Sequence, residues 1–313
     1  MKIVFCGTPQ FAVSTLQALL AAGHSVPLVV SQPDRPVGRD RVLTAPPVKQ
    51  AALAHGIEVT QPEKIKTNED FRQKLEAIAP DAIVVVAYGR IIPRWMLDLP
   101  RLGCINLHAS LLPKYRGAAP IQWSVAMGDG ETGNTTMLLE EGLDTGPILL
   151  QQRRPIEPTM TAADLFELLA LEGAPLVIET LAGLDAGTLR PTPQDHSLAT
   201  LAPILDREDG RMDLAGRTAQ QNYDRFRGFQ PWPGAFTTLD GKKFILHQMR
   251  PAELHRAAEA GQLHVDQQRL YVCCAQNTWL EVIELQLEGK KRMAAADFLR
   301  GFQHIATARL GAS

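Results

Sequence analysis

The sequence has no uninterrupted apolar run of about eighteen residues, so no transmembrane helix is expected. Its beginning, "MKIVFCGTPQF", carries one basic residue and lacks the basic and apolar regions of a signal peptide, which makes the cytoplasm the expected location. Cysteine is scarce, with four in 313 residues: Cys6 and Cys104 lie in apolar runs, and Cys273 and Cys274 are adjacent. No C-x-x-C exists, so metal and redox spacings are missing and reduced, mostly buried thiols are expected. G-x-S-x-G is absent, which removes the usual nucleophile elbow. So are H-E-x-x-H and any Cys/His cluster, so no metal is expected. Gly7-Thr8-Pro9 is not G-x-G-x-x-G, and a dinucleotide reading of that first turn is weak. Charge of one sign is lacking too. The net charge of −2 argues against a general nucleic-acid binder. Residues 1–205 hold 17 Lys and Arg against 21 Asp and Glu, and the remainder holds 15 against 13. Any RNA contact would have to be a local patch.

What is present is an alternation. "KIVFCG" reads as a buried strand, "FAVSTLQALLAAG" as a helix stopped at Gly23, and "VPLVVS" as a second strand. After a helix, a weak strand and another helix comes "DAIVVVAYG", the most apolar strand of the chain, and then "GCINLHAS". Strands alternating with helices predict an α/β fold with a parallel sheet covered on both faces. "NTTMLLEEGLDTGPILLQQRRPI" reads as two antiparallel β segments at the sheet edge, and a long amphipathic helix closes the domain. The polar, proline-containing text after it reads as a linker. One helix and several short strands follow, separated by turn signals such as Asp240-Gly241, and predict a small β-barrel or sandwich. The expected boundaries are residues 1–188, a linker at 189–208, and a second domain at 209–313. The segment from Gln32 to Lys49 is Pro- and Arg-rich, aperiodic and long, which suggests a functional loop.

Side chains two apart in a strand share a face, so Asn106 and His108 project together at the end of "CINLH". An amide and an imidazole converging on one point suit a developing oxyanion, and the imidazole can also move a proton. Asp144, in the Gly-flanked turn "EEGLDTGP", could bring a carboxylate to the same strand ends. The plainer alternatives are a hydrogen-bonded structural pair and an ordinary turn former. Acid–base and electrostatic catalysis without a covalent or metal step is the chemistry left open. Arg35, Arg39 and Arg41 in the long loop suit phosphate contacts, or simply a solvated loop. Lys242 and Lys243 add a basic spot in the second domain, a pattern that more often serves solubility of a hairpin than RNA contact.

At these residues a resemblance appears. "INLHASLLPKYRGAAPIQW" followed by "GLDTGPIL" resembles the formyltransferase family that uses 10-formyltetrahydrofolate. "QPDRPVGR", "PPVKQAA" and "VVVAYGRIIP" are similar to its branch acting on methionyl initiator tRNA. The resemblance implies a Rossmann-like catalytic domain followed by an OB-like barrel that binds tRNA, in an enzyme expected to be a monomer. It implies 10-formyltetrahydrofolate as formyl donor and Asn106, His108 and Asp144 as the catalytic set. It places Ser110, Leu111, Leu112 and Pro113 along the folate, with the backbone of Ala87, Tyr88, Gly89, Arg90, Ile91 and Ile92 cradling the pterin. It assigns Arg35, Arg39, Arg41, Lys242 and Lys243 to tRNA. The family usually has glycine and lysines where Asp40, Arg41 and Val42 stand. Other acceptors remain open, such as a sugar nucleotide or glycinamide ribotide, as does hydrolysis of the formyl-folate or binding without catalysis.

Overall fold

The computed structural model describes residues 1–38, 40–302, 305 and 308–311. The chain divides into two compact units, one of residues 1–120, 131–155 and 164–203 and the other of residues 121–130, 156–163 and 204–313. The first unit begins β1 (Lys2–Gly7), α1 (Gln10–Ala21), β2 (Ser25–Val30), then β3 (Arg35–Val37) and β4 (Val42–Thr44). Next come α2 (Pro47–Ala54), β5 (Glu58–Thr60), α3 (Glu69–Ile78), β6 (Ala82–Val86), α4 (Arg94–Leu97), β7 (Cys104–His108) and β8 (Arg116–Gly117). α5 (Pro120–Ala126) lies almost wholly in the second unit; the first unit then resumes with β9 (Glu131–Leu138), β10 (Ile148–Pro155), α6 (Ala162–Asp185) and β11 (Leu201–Ala202).

Seven strands form its main sheet in the order β10-β9-β7-β6-β1-β2-β5, with β9 antiparallel to both its neighbours and the other pairings parallel. Every residue of β6 and β7 is buried, as a strand covered on both faces requires. Helix α3 starts where Asn68 accepts from the Phe71 N–H, with Glu69 and Asp70 in the first turn favouring the helix dipole. The chain runs from β1 to one side through β2 and returns to the other through β6. Such a reversal opens a crevice at the carboxyl ends of the strands, where open α/β sheets bind ligands. At the sheet edge the Asn134 amide donates to Leu169 O, and the Thr136 and Thr180 hydroxyls bond each other, fixing α6 on β9.

The aperiodic Gln32–Lys49 segment is not a plain loop: β3 and β4 pair in it as a short antiparallel hairpin. Three residues per strand are too few to show a period of two. At its base Lys49 bonds both Asp34 carboxylate oxygens at 2.8 Å, and Gln61 joins the same group. These contacts hold the Asp34 carboxyl below the usual carboxylate range.

The second unit contains α7 (Ala219–Gly228), β12 (Ala235–Leu239), β13 (Lys242–Ala252), β14 (Leu263–Asp266) and β15 (Arg269–Cys274). It ends with β16 (Thr278–Leu287), β17 (Met293–Ala294) and α8 (Ala295–Gly301). Its sheet is antiparallel, ordered β12-β13-β16-β15-β14 with β17 on β16. Asp240 (φ 49°) and Gly241 (φ 72°) make the tight turn between β12 and β13, a conformation that only such residues adopt cheaply. Leu310 bridges Leu239 and Arg309 bridges Gln262, so the last described residues link the two outer ends of the sheet. Helix α7 is capped reciprocally by Thr218 and Gln221. Among the described residues no helix is long and apolar enough to cross a membrane.

Candidate active site

Asn106 and His108 stand on one face at the carboxyl end of β7, 8% and 5% exposed. In the antiparallel register Asn106 lies opposite Met137 and His108 opposite Thr135. The Asn106 side chain makes no hydrogen bond among the described residues, so its amide is presented with full donor and acceptor capacity. His108 is held more firmly, its Nε2 lying 2.9 Å from Tyr115 O. A carbonyl only accepts, so Nε2 carries a proton and Nδ1 is the nitrogen left for chemistry.

Nδ1 faces Asp144 Oδ2 at 3.7 Å. Asp144 sits between β9 and β10 in the left-handed region (φ 51°), and its Oδ2 accepts the Gly117 N–H at 2.8 Å. The turn predicted to return a carboxylate to the strand ends therefore does so. His108 and Asp144 thus form a partly buried imidazole–carboxylate pair, with the neutral Asn106 amide on the same face of β7 as His108.

The segment after β7 is tied down hydroxyl by hydroxyl. Thr135 Oγ1 donates to Ser110 O at 2.6 Å and accepts from Leu112 N and Gln151 Nε2. Ser110 is fully buried and spends its hydroxyl on Lys114 O. Leu112 is buried, Leu111 and Pro113 are half-buried, and the Leu112-Pro113 peptide is cis. Beyond it, Thr200 Oγ1 accepts from Tyr115 N and β11 pairs with β8 in parallel. Residues read as linker text thus complete the wall of the site. Gln194 is the side chain that sequence reasoning missed. It is 6% exposed, and its Nε2 donates to Asp144 O at 2.9 Å and to Gly146 O at 2.7 Å. Its place in polar, proline-rich text gave no signal. A glutamine has no period or spacing of its own.

The second predicted segment lies at the crevice of the parallel sheet. Ala87 (φ 46°) and Gly89 (φ 78°) turn the chain after β6, leaving Ala87, Gly89 and Ile91 exposed and Arg90 half-buried. The Tyr88 and Ile92 side chains point into the apolar core, where burial pushes the Tyr88 phenol well up. Besides the exposed Ile91 side chain, the segment offers mainly its backbone outward, and that backbone is braced from behind. Thr8 Oγ1 and Gln32 Nε2 both donate to Tyr88 O, and Gln32 Nε2 also reaches Gly89 O.

Arg35 and Arg41 are exposed on the β3–β4 hairpin and make no side-chain ion pair among the described residues. Arg39 lies outside the described residues. In the second unit Lys242 is exposed at the β12–β13 turn, and Lys243 sits 4.0 Å over the Phe236 ring. Among the described residues no group of three or more His, Cys, Asp or Glu could hold a metal ion.

Comparison with known proteins places the chain in a family. The family described as "Formyl transferase" matches residues 1–181, and "Formyl transferase, C-terminal domain" matches residues 204–303. The chain belongs to the formyl transferase family. A protein of Acidobacterium capsulatum named methionyl-tRNA formyltransferase is 65% identical over 312 residues, covering 100% of both chains. One of the same name from Koribacter versatilis is 56% identical over 99% of each. Among solved structures, a sugar 3N-formyl transferase with dTDP and 5-N-formyl-THF superposes with a TM-score of 0.65 at 17% identity, covering 93% of this chain and 99% of its own. An N-formyltransferase from Helicobacter canadensis with folinic acid and dTDP-3-aminofucose gives 0.65 at 16% identity, over 90% and 98%. At that identity these structures speak for the shared fold, a mostly parallel α/β domain followed by an antiparallel sheet domain.

Proposed function

We propose that this formyl transferase moves the formyl group of 10-formyltetrahydrofolate to the free α-amino group of methionyl initiator tRNA. The full-length likeness to relatives named for that reaction supports the acceptor, and the formyl-folates in the solved relatives support the donor. The observation that carries the chemistry is the pairing of the His108 Nδ1 with the Asp144 carboxylate at the strand end that also carries the unbonded Asn106 amide.

On this reading the neutral amine attacks the formyl carbon, forming a C–N bond while the carbonyl electron pair moves to oxygen. The Asn106 amide donates an N–H to that oxygen, and His108, in its doubly protonated form, donates from Nδ1. The adjacent Asp144 carboxylate offsets the ring's charge and, directly or through a water, takes the proton released by the amine. Collapse of the intermediate re-forms the carbonyl and breaks the bond to N10, which receives a proton from the same group.

The donor would lie along Ser110, Leu111, Leu112 and Pro113, with its pterin ring against the backbone of residues 87–92. With the Ser110 hydroxyl already bonded to Lys114 O, that residue contributes shape more than a polar contact. Arg35, Arg39 and Arg41, with Lys242 and Lys243, would meet phosphates of the acceptor. The proposed division of labour puts chemistry in residues 1–188 and tRNA holding in 209–313, in a cytoplasmic monomer.

The deciding assay is formyl transfer from 10-formyltetrahydrofolate to purified Met-tRNA, with native protein beside Asp144→Asn. Native turnover with a loss on the order of 10³-fold in the variant is expected. Formate release without acceptor would indicate a hydrolase, and transfer only to a small amine would displace tRNA as substrate.

A further inference from the structure

We infer that Gln194 is a positioning residue for formyl transfer, acting through the Asp144 turn; the inference rests on the function proposed above. Asp144 lies in the left-handed region, which aspartate enters more readily than most residues, and its surroundings determine that it stays there. Two contacts supply that determination. The Gly117 N–H holds the carboxylate, and the Gln194 amide holds the peptide carbonyls of Asp144 and Gly146.

Gln194 is itself fixed. Its Oε1 accepts from Arg116 Nε at 3.1 Å and Nη2 at 2.6 Å, and Arg116 is 7% exposed. Arg116 directly precedes Gly117, so the contacts close a circuit: Arg116 to Gln194, Gln194 to the Asp144 carbonyl, the Asp144 carboxylate to Gly117. Movement at any member shifts Asp144 Oδ2 relative to His108 Nδ1.

The chemistry of the position selects an amide. Two carbonyls need donors on one side, and a guanidinium needs an acceptor on the other. One neutral primary amide serves both, and the same requirement fixes which way the group points. A carboxylate would satisfy Arg116 but turn an oxygen onto two carbonyls and place a second negative charge beside Asp144. A thioether would fill the space and supply neither bond well. Arg116 also bonds His196 Nδ1 at 3.1 Å, which keeps the guanidinium in place when Gln194 is changed.

The test uses the full chain with Gln194→Glu and Gln194→Met, measuring kcat and the KM for 10-formyltetrahydrofolate with Met-tRNA saturating. A kcat loss on the order of 10²-fold in both is expected, as for a misplaced catalytic group. The folate KM should stay within about threefold, since Gln194 touches neither segment proposed to hold the donor. In single turnovers with excess enzyme, adding Gln194→Met to Asp144→Asn should cost less than about threefold more, because both changes remove the same orientation. Losses that multiply, or a folate KM that rises with the kcat loss, would show a general structural role and overturn the inference. So would loss of the thermal transition in both variants, or kcat within threefold of native in both. Absence of transfer by the native chain would instead remove the functional reading, and this inference with it.

Discussion

Asn106 presents an unusual local balance. Its amide has no protein hydrogen-bond partner among the described residues and, at 8% exposure, keeps only narrow contact with solvent, so holding it there costs up to about 1 kcal/mol relative to an apolar group. A sequence selected for stability alone would not leave it so. Replacement by the near-isosteric Asn106→Leu is therefore expected to leave stability unchanged or raised by up to about 1 kcal/mol, read from denaturant midpoints. The same change should lower kcat by on the order of 10²-fold, as removal of an oxyanion donor does. A variant less stable than native and equally active would reverse both halves of that argument. The other two members are held differently. His108 is fixed by Tyr115 O and Asp144 by Gly117 N, so for them the cost of placement is met by the segment that follows β7.

The elements that build the site differ in how openly the sequence declares them. The buried strands β1, β6 and β7 are continuous apolar runs, and the shared face of Asn106 and His108 follows from a period of two. The Gly-flanked turn marked Asp144 as able to fold back. Very short elements such as β3, β4, β8, β11 and β14 carry no readable period, and the pairing that matters most to the site is among them. Strand β11 joins β8 across more than eighty residues of sequence, and only tertiary packing specifies it. Gly117 shows how tight that pairing is: with φ 122°, a Cβ built there would lie 2.7 Å from Ala202 O. Gly117→Ala should therefore push β11 off β8 and tilt the N–H that holds Asp144. We expect destabilisation of about 1–3 kcal/mol and a kcat loss above about tenfold. Hydrogen exchange localised to residues 116–119 and 200–202 would report the cause, and unaltered exchange there would contradict it.

A net charge of −2 leaves the whole molecule with little global repulsion near neutrality, so its response to acid is set by particular carboxylates. Asp34 and Asp81 in the first unit and Glu281 in the second all have depressed pKa values from hydrogen-bonded partners. Glu281 is the most enclosed of them: on β16, 6% exposed, it accepts from Arg269 Nε and Nη2 and from Arg250 Nε, at 2.6–2.8 Å. Those bonds, Arg269 first, lower its pKa against the opposing effect of burial. The folded pKa lies below the unfolded value of about 4.3, so protonation favours the unfolded chain. Its stabilisation is fully present above that range and is lost as pH falls through the folded value. Both arginines are about half exposed, so Glu281→Gln lets them rehydrate, and the cost at pH 7 should be only about 1–2 kcal/mol. Urea unfolding of native and variant protein from pH 7 to pH 3 should show that gap narrowing toward zero below about pH 4. A gap independent of pH would mean that Glu281 acts by packing and not by charge.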